Sequence, residues 1–310
     1  MIVSVLLLIL GLVLVIGGAD ALVDGASAVA RKTGVSEFVI GLLIVGFGTS
    51  LPELVVSVTG AIDGNSSIAI GNVIGSNVFN TAFILALSAM IVPVAITRAN
   101  KMQDIPIAIL AAFVAAFLGY NGGLGRVDGI VMLLLFAAFI YWSFRTGHSD
   151  AAEAGSASSF STAKAIFFII GGLAALVFGG RLFVHSAVEI AHGIGVSDKF
   201  IAITVLAMGT SLPELVTSIV AIAKKRSQMA LGNILGSNVF NLLMILGVSA
   251  VISPVSFAGV DVYDYAALIL SIVLVWTSVY TGKHNVLDRF DASILLLAFA
   301  AYMTKVFLAL

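Results

Sequence analysis

Shifted by 161 positions, this sequence lies on itself. Gly18 to Asn80 aligns with Gly179 to Asn241 without a gap, and 27 of the 63 positions are identical. GVS at 34–36 meets GVS at 195–197, and GTSLPELV at 48–55 returns letter for letter at 209–216. GNVIGSNVFN at 71–80 returns as GNILGSNVFN at 232–241. Internal similarity on this scale predicts two halves of like structure.

The surroundings of the repeated blocks decide what the halves are. Both GTSLPE copies stand inside apolar runs, LLIVGFGTSLPELVVSV and ITVLAMGTSLPELVTSI. The whole chain is 60% hydrophobic and 10% charged, with mean hydropathy +1.17, against about 25% charged residues in a soluble domain. An all-α integral membrane protein follows, with the lipid bilayer as its surroundings. The net charge of −1 offers nothing to nucleic acid. There is no cysteine for disulfides, thiol chemistry or a Cys-based metal site, and the four histidines are scattered.

Apolar stretches of spanning length predict ten transmembrane helices, near 2–18, 36–62, 68–93, 105–120, 127–143, 165–180, 200–223, 228–253, 264–281 and 292–309. The first lacks a basic leader region and its counterpart is retained mid-chain, so it is read as a permanent helix rather than a signal peptide. With ten spans, eleven basic residues fall on one side and four on the other. The basic side is predicted to be cytoplasmic, with both termini extracytoplasmic and the chain in a plasma membrane.

Five spans per half is an odd number, so the second half enters from the opposite face. Residues 1–146 are then one five-helix repeat and 162–310 its inverted copy. The segment GHSDAAEAGSASSFS at 147–161 reads as a flexible cytoplasmic linker. Inverted repeats with interrupted helices characterise secondary transporters, whose site lies near the midplane between the repeats.

Among the sixteen acidic residues, Glu53 and Glu214 sit deepest within predicted spans. A charge there costs a few kcal/mol, so it faces a partner, a cavity or an ion. No predicted span holds a basic residue at that depth to pair with them, which leaves a cation. Pro52 and Pro213 cannot donate backbone hydrogen bonds and so interrupt each helix, freeing carbonyls at Gly48 and Gly209. Ser50, Glu53 and Ser57 share one helix face, as do Ser211, Glu214 and Ser218. Asn72, Ser76 and Asn80 make a second oxygen stripe, repeated by Asn233, Ser237 and Asn241. Gly71, Gly75, Gly232 and Gly236 would let these stripes pack closely; Asn77 and Asn238 fall off them. An all-oxygen set suits Ca²⁺ or Na⁺. Two carboxylates neutralised by one Ca²⁺, or by two or three Na⁺, make an exchanger rather than a channel. Asp20 and Asp24, at the end of the first span, and Glu189, with His185 and His192 in a loop-like segment, are read as interfacial. Lys224, Lys225 and Arg226 are read as topology determinants, and Trp142 and Trp276 as interface anchors.

With GTSLPE at 48–53 and 209–214 and GSNVFN at 75–80 and 236–241, the chain resembles the cation/calcium exchanger superfamily, on its sodium/calcium exchanger side, over essentially its whole length. The resemblance implies Glu53 and Glu214 as central Ca²⁺ ligands. It implies Thr49, Ser50, Ser76, Thr210, Ser211 and Ser237 at flanking Na⁺ sites, with backbone carbonyls of Gly46, Thr49, Ala207 and Thr210 completing the shells. Asn80 and Asn241 would flank the centre. Potassium-dependent relatives tend to carry Asp where this chain has Asn241, which weighs against K⁺ co-transport. Proton/calcium relatives place Asn before the acidic ligand, a signature this chain lacks. The resemblance implies an antiporter and not an enzyme, with Na⁺ and Ca²⁺ as its transported partners and no cofactor. Proton-coupled exchange, K⁺-dependent exchange and a channel are the alternatives.

Overall fold

The first helix runs well past the point where its apolar run ends. In the computed structural model, which describes residues 1–147, 160–196, 207–281 and 285–308, α1 is Ile2–Thr33. Asp20 and Asp24 therefore lie inside it, not at its end. Polar side chains do not stop a helix; a left-handed cap does. That cap is Gly34, at φ 69°, whose N–H bonds to the Ala30 carbonyl. The sixth expected span is likewise extended. Its helix runs Thr162–Gly193, capped by the Ser161 side chain on the Lys164 N–H. His185, Glu189 and His192 are helical, not in a loop, and His185 Nε2 lies 3.3 Å from Glu189 Oε1 one turn on. At 1.5 Å per residue, each of these helices is about 48 Å long, beyond the roughly 30 Å apolar thickness of a bilayer.

Between them lie α2 (Glu37–Thr49), α3 (Leu51–Ile62), α4 (Ser66–Ile91), α5 (Asn100–Gly119) and α6 (Arg126–Thr146). Numbering the long helix Thr162–Gly193 as α7, the chain continues through a short turn of helix at Ala207–Gly209 to α8 (Leu212–Ala223). There follow α9 (Ser227–Ile252), α10 (Val262–Ser278) and α11 (Arg289–Leu308). Among the described residues, seven helices are long and apolar enough to cross a membrane, and α2 with α3, bent by 48°, makes an eighth. The shorter apolar helices α8 and α10 stand at the two remaining expected places. Residues 200–206 of the expected seventh span, and nearly all of the expected linker, lie outside the described residues.

Glycines spaced by seven join α1 to α7. A Cβ on Gly11 would stand 2.8 Å from the Gly179 carbonyl oxygen, one on Gly18 2.8 Å from that of Gly172, and one on Gly25 2.8 Å from that of Ala165. Contacts that rise along α1 and fall along α7 make the pair antiparallel. Small residues at one seam allow backbones to approach where lipid supplies no hydrophobic drive.

The inner helices pack the same way. A Cβ on Gly232 would stand 2.1 Å from the Phe38 carbonyl oxygen, and one on Gly236 2.8 Å from that of Leu42. Among the described residues, nothing lies within 4 Å of a Cβ on Gly71 or Gly75. Their shift-related contacts, residues 199 and 203, fall outside the described residues. Two short antiparallel pairings fasten the helix ends. Strand β1 (Val94–Ala95) pairs with β4 (Val286–Leu287), and β2 (Gly123–Leu124) with β3 (Val255–Ser256). Each therefore joins one half of the chain to the other. At the start of α10, the bond from Lys305 holds the Asp261 carboxyl below its usual range.

Gly18→Val puts a branched side chain against the backbone of α7. Overpacking of this kind costs about 1–3 kcal/mol. Thermal unfolding in detergent is expected at a lower temperature for this variant, while Gly17→Val, at a glycine with nothing within 4 Å, leaves it unchanged.

Candidate functional site

The two glutamates lie where the helices are least regular. In α2 the turn Gly41–Gly46 is π-helical, and the chain breaks at Ser50, with φ −83° and ψ 6°. Proline is tolerated in the first turn of a helix, where its missing N–H would have no partner. Pro52 stands there in α3, followed by Glu53. The second copy follows the same logic. The short helix ends at Gly209, Ser211 sits at φ −89° and ψ 9°, and α8 carries Pro213 and Glu214 in its first turn. Each carboxylate thus stands at the partly positive start of a helix. In α4 and α9, π-helical segments, Phe79–Leu85 and Phe240–Ile245, carry Asn80 and Asn241; such segments are frequent at functional sites.

The halves are tied crosswise at this level. Ser50 Oγ donates to Glu214 Oε1 at 3.0 Å, and Ser211 Oγ to Glu53 Oε1 at 3.1 Å. Thr49 Oγ1 donates to Asn233 Oδ1 at 3.2 Å, and Thr210 Oγ1 to Asn72 Oδ1 at 3.4 Å. The Gly46 carbonyl accepts from Thr49 Oγ1 at 3.4 Å and from Ser237 Oγ at 3.2 Å. The crosswise bonds set each glutamate beside the serine that stands three residues before the other. Both are fully buried, and the only five ion pairs seen among the described residues leave them out.

Several buried oxygens and nitrogens here have no hydrogen-bond partner among the described residues. They are Glu53 Oε2, Glu214 Oε2, Ser76 Oγ, and both amide atoms of Asn80 and of Asn241. Buried polar groups are normally paired, so unpartnered atoms on both glutamates and on Ser76, Asn80 and Asn241 mark a place built for a polar guest. Of the residues singled out from sequence, Thr49, Ser50, Glu53, Ser76, Asn80, Ser211, Glu214, Ser237 and Asn241 are all buried. Thr210 is half-buried, and Ala207 opens the short helix before it.

Sequence reasoning left the bracing residues out of the expected ligand set. Asn72 Nδ2 donates to the Glu53 carbonyl at 3.2 Å and to Ser57 Oγ at 2.9 Å. Asn233 Nδ2 does the same for the Glu214 carbonyl at 3.4 Å and Ser218 Oγ at 2.9 Å. Their place at the head of each stripe was the available signal. Asn238, off the stripe, donates to Thr81 Oγ1 at 2.6 Å, a contact between α4 and α9 that no spacing rule in one half could show.

Fold and site together define a membrane ion-transport protein. The sodium/calcium exchanger protein family matches residues 3–145 and 164–308, and the chain belongs to that family. It is 30% identical to the sodium/calcium exchanger MaX1 of Methanosarcina acetivorans, over 98% of this chain and 99% of that one. It is 34% identical to the inner membrane protein YrbG of Escherichia coli, over 82% and 81%. Among solved structures, the sodium-calcium exchanger NCX_Mj soaked with 10 mM Na⁺ and zero Ca²⁺ superposes with a TM-score of 0.88. That match is at 31% identity and covers 98% of each chain. The family and this structural match support cation/Ca²⁺ exchange by antiport and a multi-pass membrane protein.

Asn233→Ala leaves Ser218 and the Glu214 carbonyl without their shared donor. An unmet buried partner costs about 1–3 kcal/mol, so a lower unfolding temperature in detergent is expected. Asn121→Ala, at an exposed turn without a positive φ, serves as the unaffected control.

Proposed function

We propose that the protein exchanges Na⁺ for Ca²⁺ across a plasma membrane by alternating access. The carrying observation is the pair of fully buried carboxylates, Glu53 and Glu214, cross-tied by Ser211 and Ser50 and without an ion-pair partner among the described residues. In this reading the two carboxylates are the central Ca²⁺ ligands. Thr49, Ser50, Ser76, Thr210, Ser211 and Ser237, with the carbonyls of Gly46, Thr49, Ala207 and Thr210, supply the Na⁺ positions, and Asn80 and Asn241 flank the centre. One Ca²⁺ neutralises the two negative charges, and Na⁺ ions on the same oxygens do so in its place. Each occupant hides the charges from water, so the site crosses its occluded state loaded with one ion or the other.

The proposed frame has ten spans, with residues 1–146 and 162–310 as inverted repeats around the cytoplasmic linker 147–161 and both termini outside. The reciprocal strand pairings and cross-tied serines support it, since a two-fold axis makes contacts reciprocal. The antiparallel α1 and α7 support it as well, because inversion sends equivalent helices through the membrane in opposite directions. Alternate exposure follows when α1 and α7 slide as a unit over the signature helices.

In proteoliposomes at fixed pH, an outward Na⁺ gradient is expected to drive ⁴⁵Ca²⁺ uptake. Uptake driven by a pH gradient alone would replace Na⁺ coupling with proton coupling, and uptake into vesicles lacking any counter-ion would indicate a channel. Glu53→Gln and Glu214→Gln are each expected to reduce uptake to that of empty vesicles; normal uptake in either would overturn the site assignment.

Ca²⁺ at about one hundred times its dissociation constant stabilises the state that binds it by about 2.7 kcal/mol. Ca²⁺ is therefore expected to raise the unfolding temperature of the unsubstituted protein and to leave that of Glu53→Gln where it was.

A further inference from the structure

Lys224, at the end of α8, reaches two acids on α1. Its Nζ lies 2.7 Å from Asp20 Oδ1 and 2.6 Å from Asp24 Oδ1, and it donates to the Asp20 backbone carbonyl at 3.2 Å. The helix it terminates is the one that carries Glu214. This contact therefore ties the outer helix α1 to the end of a signature helix.

The 161-residue shift carries each member onto a residue of the opposite or switched character. Asp20 maps onto Arg181, Asp24 onto His185, and Lys224 onto Asp63. The shift thus matches bases on α7 with an acid at the end of α3, the helix that carries Glu53. The letters are not repeated, but the charge complementarity is, with its sign reversed. In the structure this second set is apart. Asp63 and Arg181 form no ion pair with each other, both are exposed, and His185 turns to Glu189 on its own helix. The packing is unequal in the same sense. α1 lies against α8, while the shift-related helices α7 and α3 make no comparable contact.

We propose that these two clusters are positioning residues for transport, a pair of ionic latches that close in alternation. Lys224 with Asp20 and Asp24 holds the α1–α7 unit at one end of its slide, the end seen here. Asp63 with Arg181 and His185 receives it at the other. In the proposed topology the ends of α8 and α3 lie on opposite faces of the membrane, so each latch secures one access state. Partly exposed ion pairs are weak, which suits contacts that must break on every cycle. The shift also relates Arg31 to His192, Glu37 to Asp198 and Glu53 to Glu214, which belong to neither latch. Beyond them, Glu189 faces His185 and competes with Asp63 for it.

The inference rests on the antiport reading, and its first readout, the cross-linking yield, needs no flux assay. The chain has no cysteine, so paired cysteines report cleanly. Asp20→Cys with Lys224→Cys, and separately Asp63→Cys with Arg181→Cys, are placed in the full chain in proteoliposomes and oxidised in Na⁺ or in Ca²⁺. Both pairs are expected to cross-link, with yields that move in opposite directions when the ion or the side of its addition is changed. Cross-linking either pair is expected to stop ⁴⁵Ca²⁺ flux, and reduction to restore it. The exchanged variant Asp63→Arg with Arg181→Asp is expected to recover flux lost in Asp63→Arg alone, which separates a latch from misfolding. No cross-link at Asp63 and Arg181 under any ion condition in flux-competent protein would overturn the proposal, as would yields that ignore the ions. Absence of Na⁺-driven uptake in the unsubstituted protein would instead tell against the antiport reading.

Discussion

Two carboxylates share one buried centre, and no basic side chain among the described residues pairs with them. Moving a single carboxylate out of water costs several kcal/mol even after the protein relaxes, and a like charge close by adds to that cost at low dielectric. The surrounding architecture answers this constraint. Helices break so that each glutamate meets the positive start of a new helix. Serine hydroxyls from the opposite half donate to each carboxylate. These dipoles lower the cost without cancelling the charge, and in the proposed function a cation supplies the rest.

The irregular backbone around that centre survives because it is braced. Interrupted helices are tolerated at membrane depth only where protein or a cavity surrounds them. Here Asn72 and Asn233 hold the carbonyls of Glu53 and Glu214, and Gly232 and Gly236 bring α9 onto the backbone of α2. The outer pair α1 and α7 is different in kind. Its glycine seam is continuous along the two helices, while its hold on the signature helices is unequal between the halves. A unit that is tight within itself and unevenly attached to its neighbours is what a sliding element requires.

Much of the site was legible in one dimension, because the repeat turned local oddities into a pattern. A single Pro–Glu step in an apolar run reads as a kink and a stray acid; the same step returning at 209–214 reads as half of a site. The stripes Asn72, Ser76, Asn80 and Asn233, Ser237, Asn241 followed from helical spacing alone. The lengths of α1 and α7 were misread for a physical reason. Asp20, Asp24, His185 and Glu189 end an apolar run, but a helix ends only where its backbone is capped or broken, as at Gly34. The signal for the seam lay in Gly11, Gly18 and Gly25, yet a seven-residue glycine spacing does not name its partner helix.

By itself the sequence determined that the chain lives in a membrane, that a block of it is repeated 161 positions on, and that Glu53 and Glu214 are the acids set deepest in its apolar runs. Hydropathy, repeat length and the scarcity of buried acids are properties of the chain's order and need no contacts. Only the tertiary structure decided that each serine serves the other half's glutamate, that Asn72 and Asn233 brace the breaks, and that Lys224 grips α1 while Asp63 and Arg181 stand apart. The cross-ties and the grip of Lys224 join residues more than 130 positions distant, and the halves differ at Asp63 and Arg181, so a repeat that treats its copies alike cannot carry them; the braces reach 19 positions back across a turn between two helices, beyond any spacing rule within one helix.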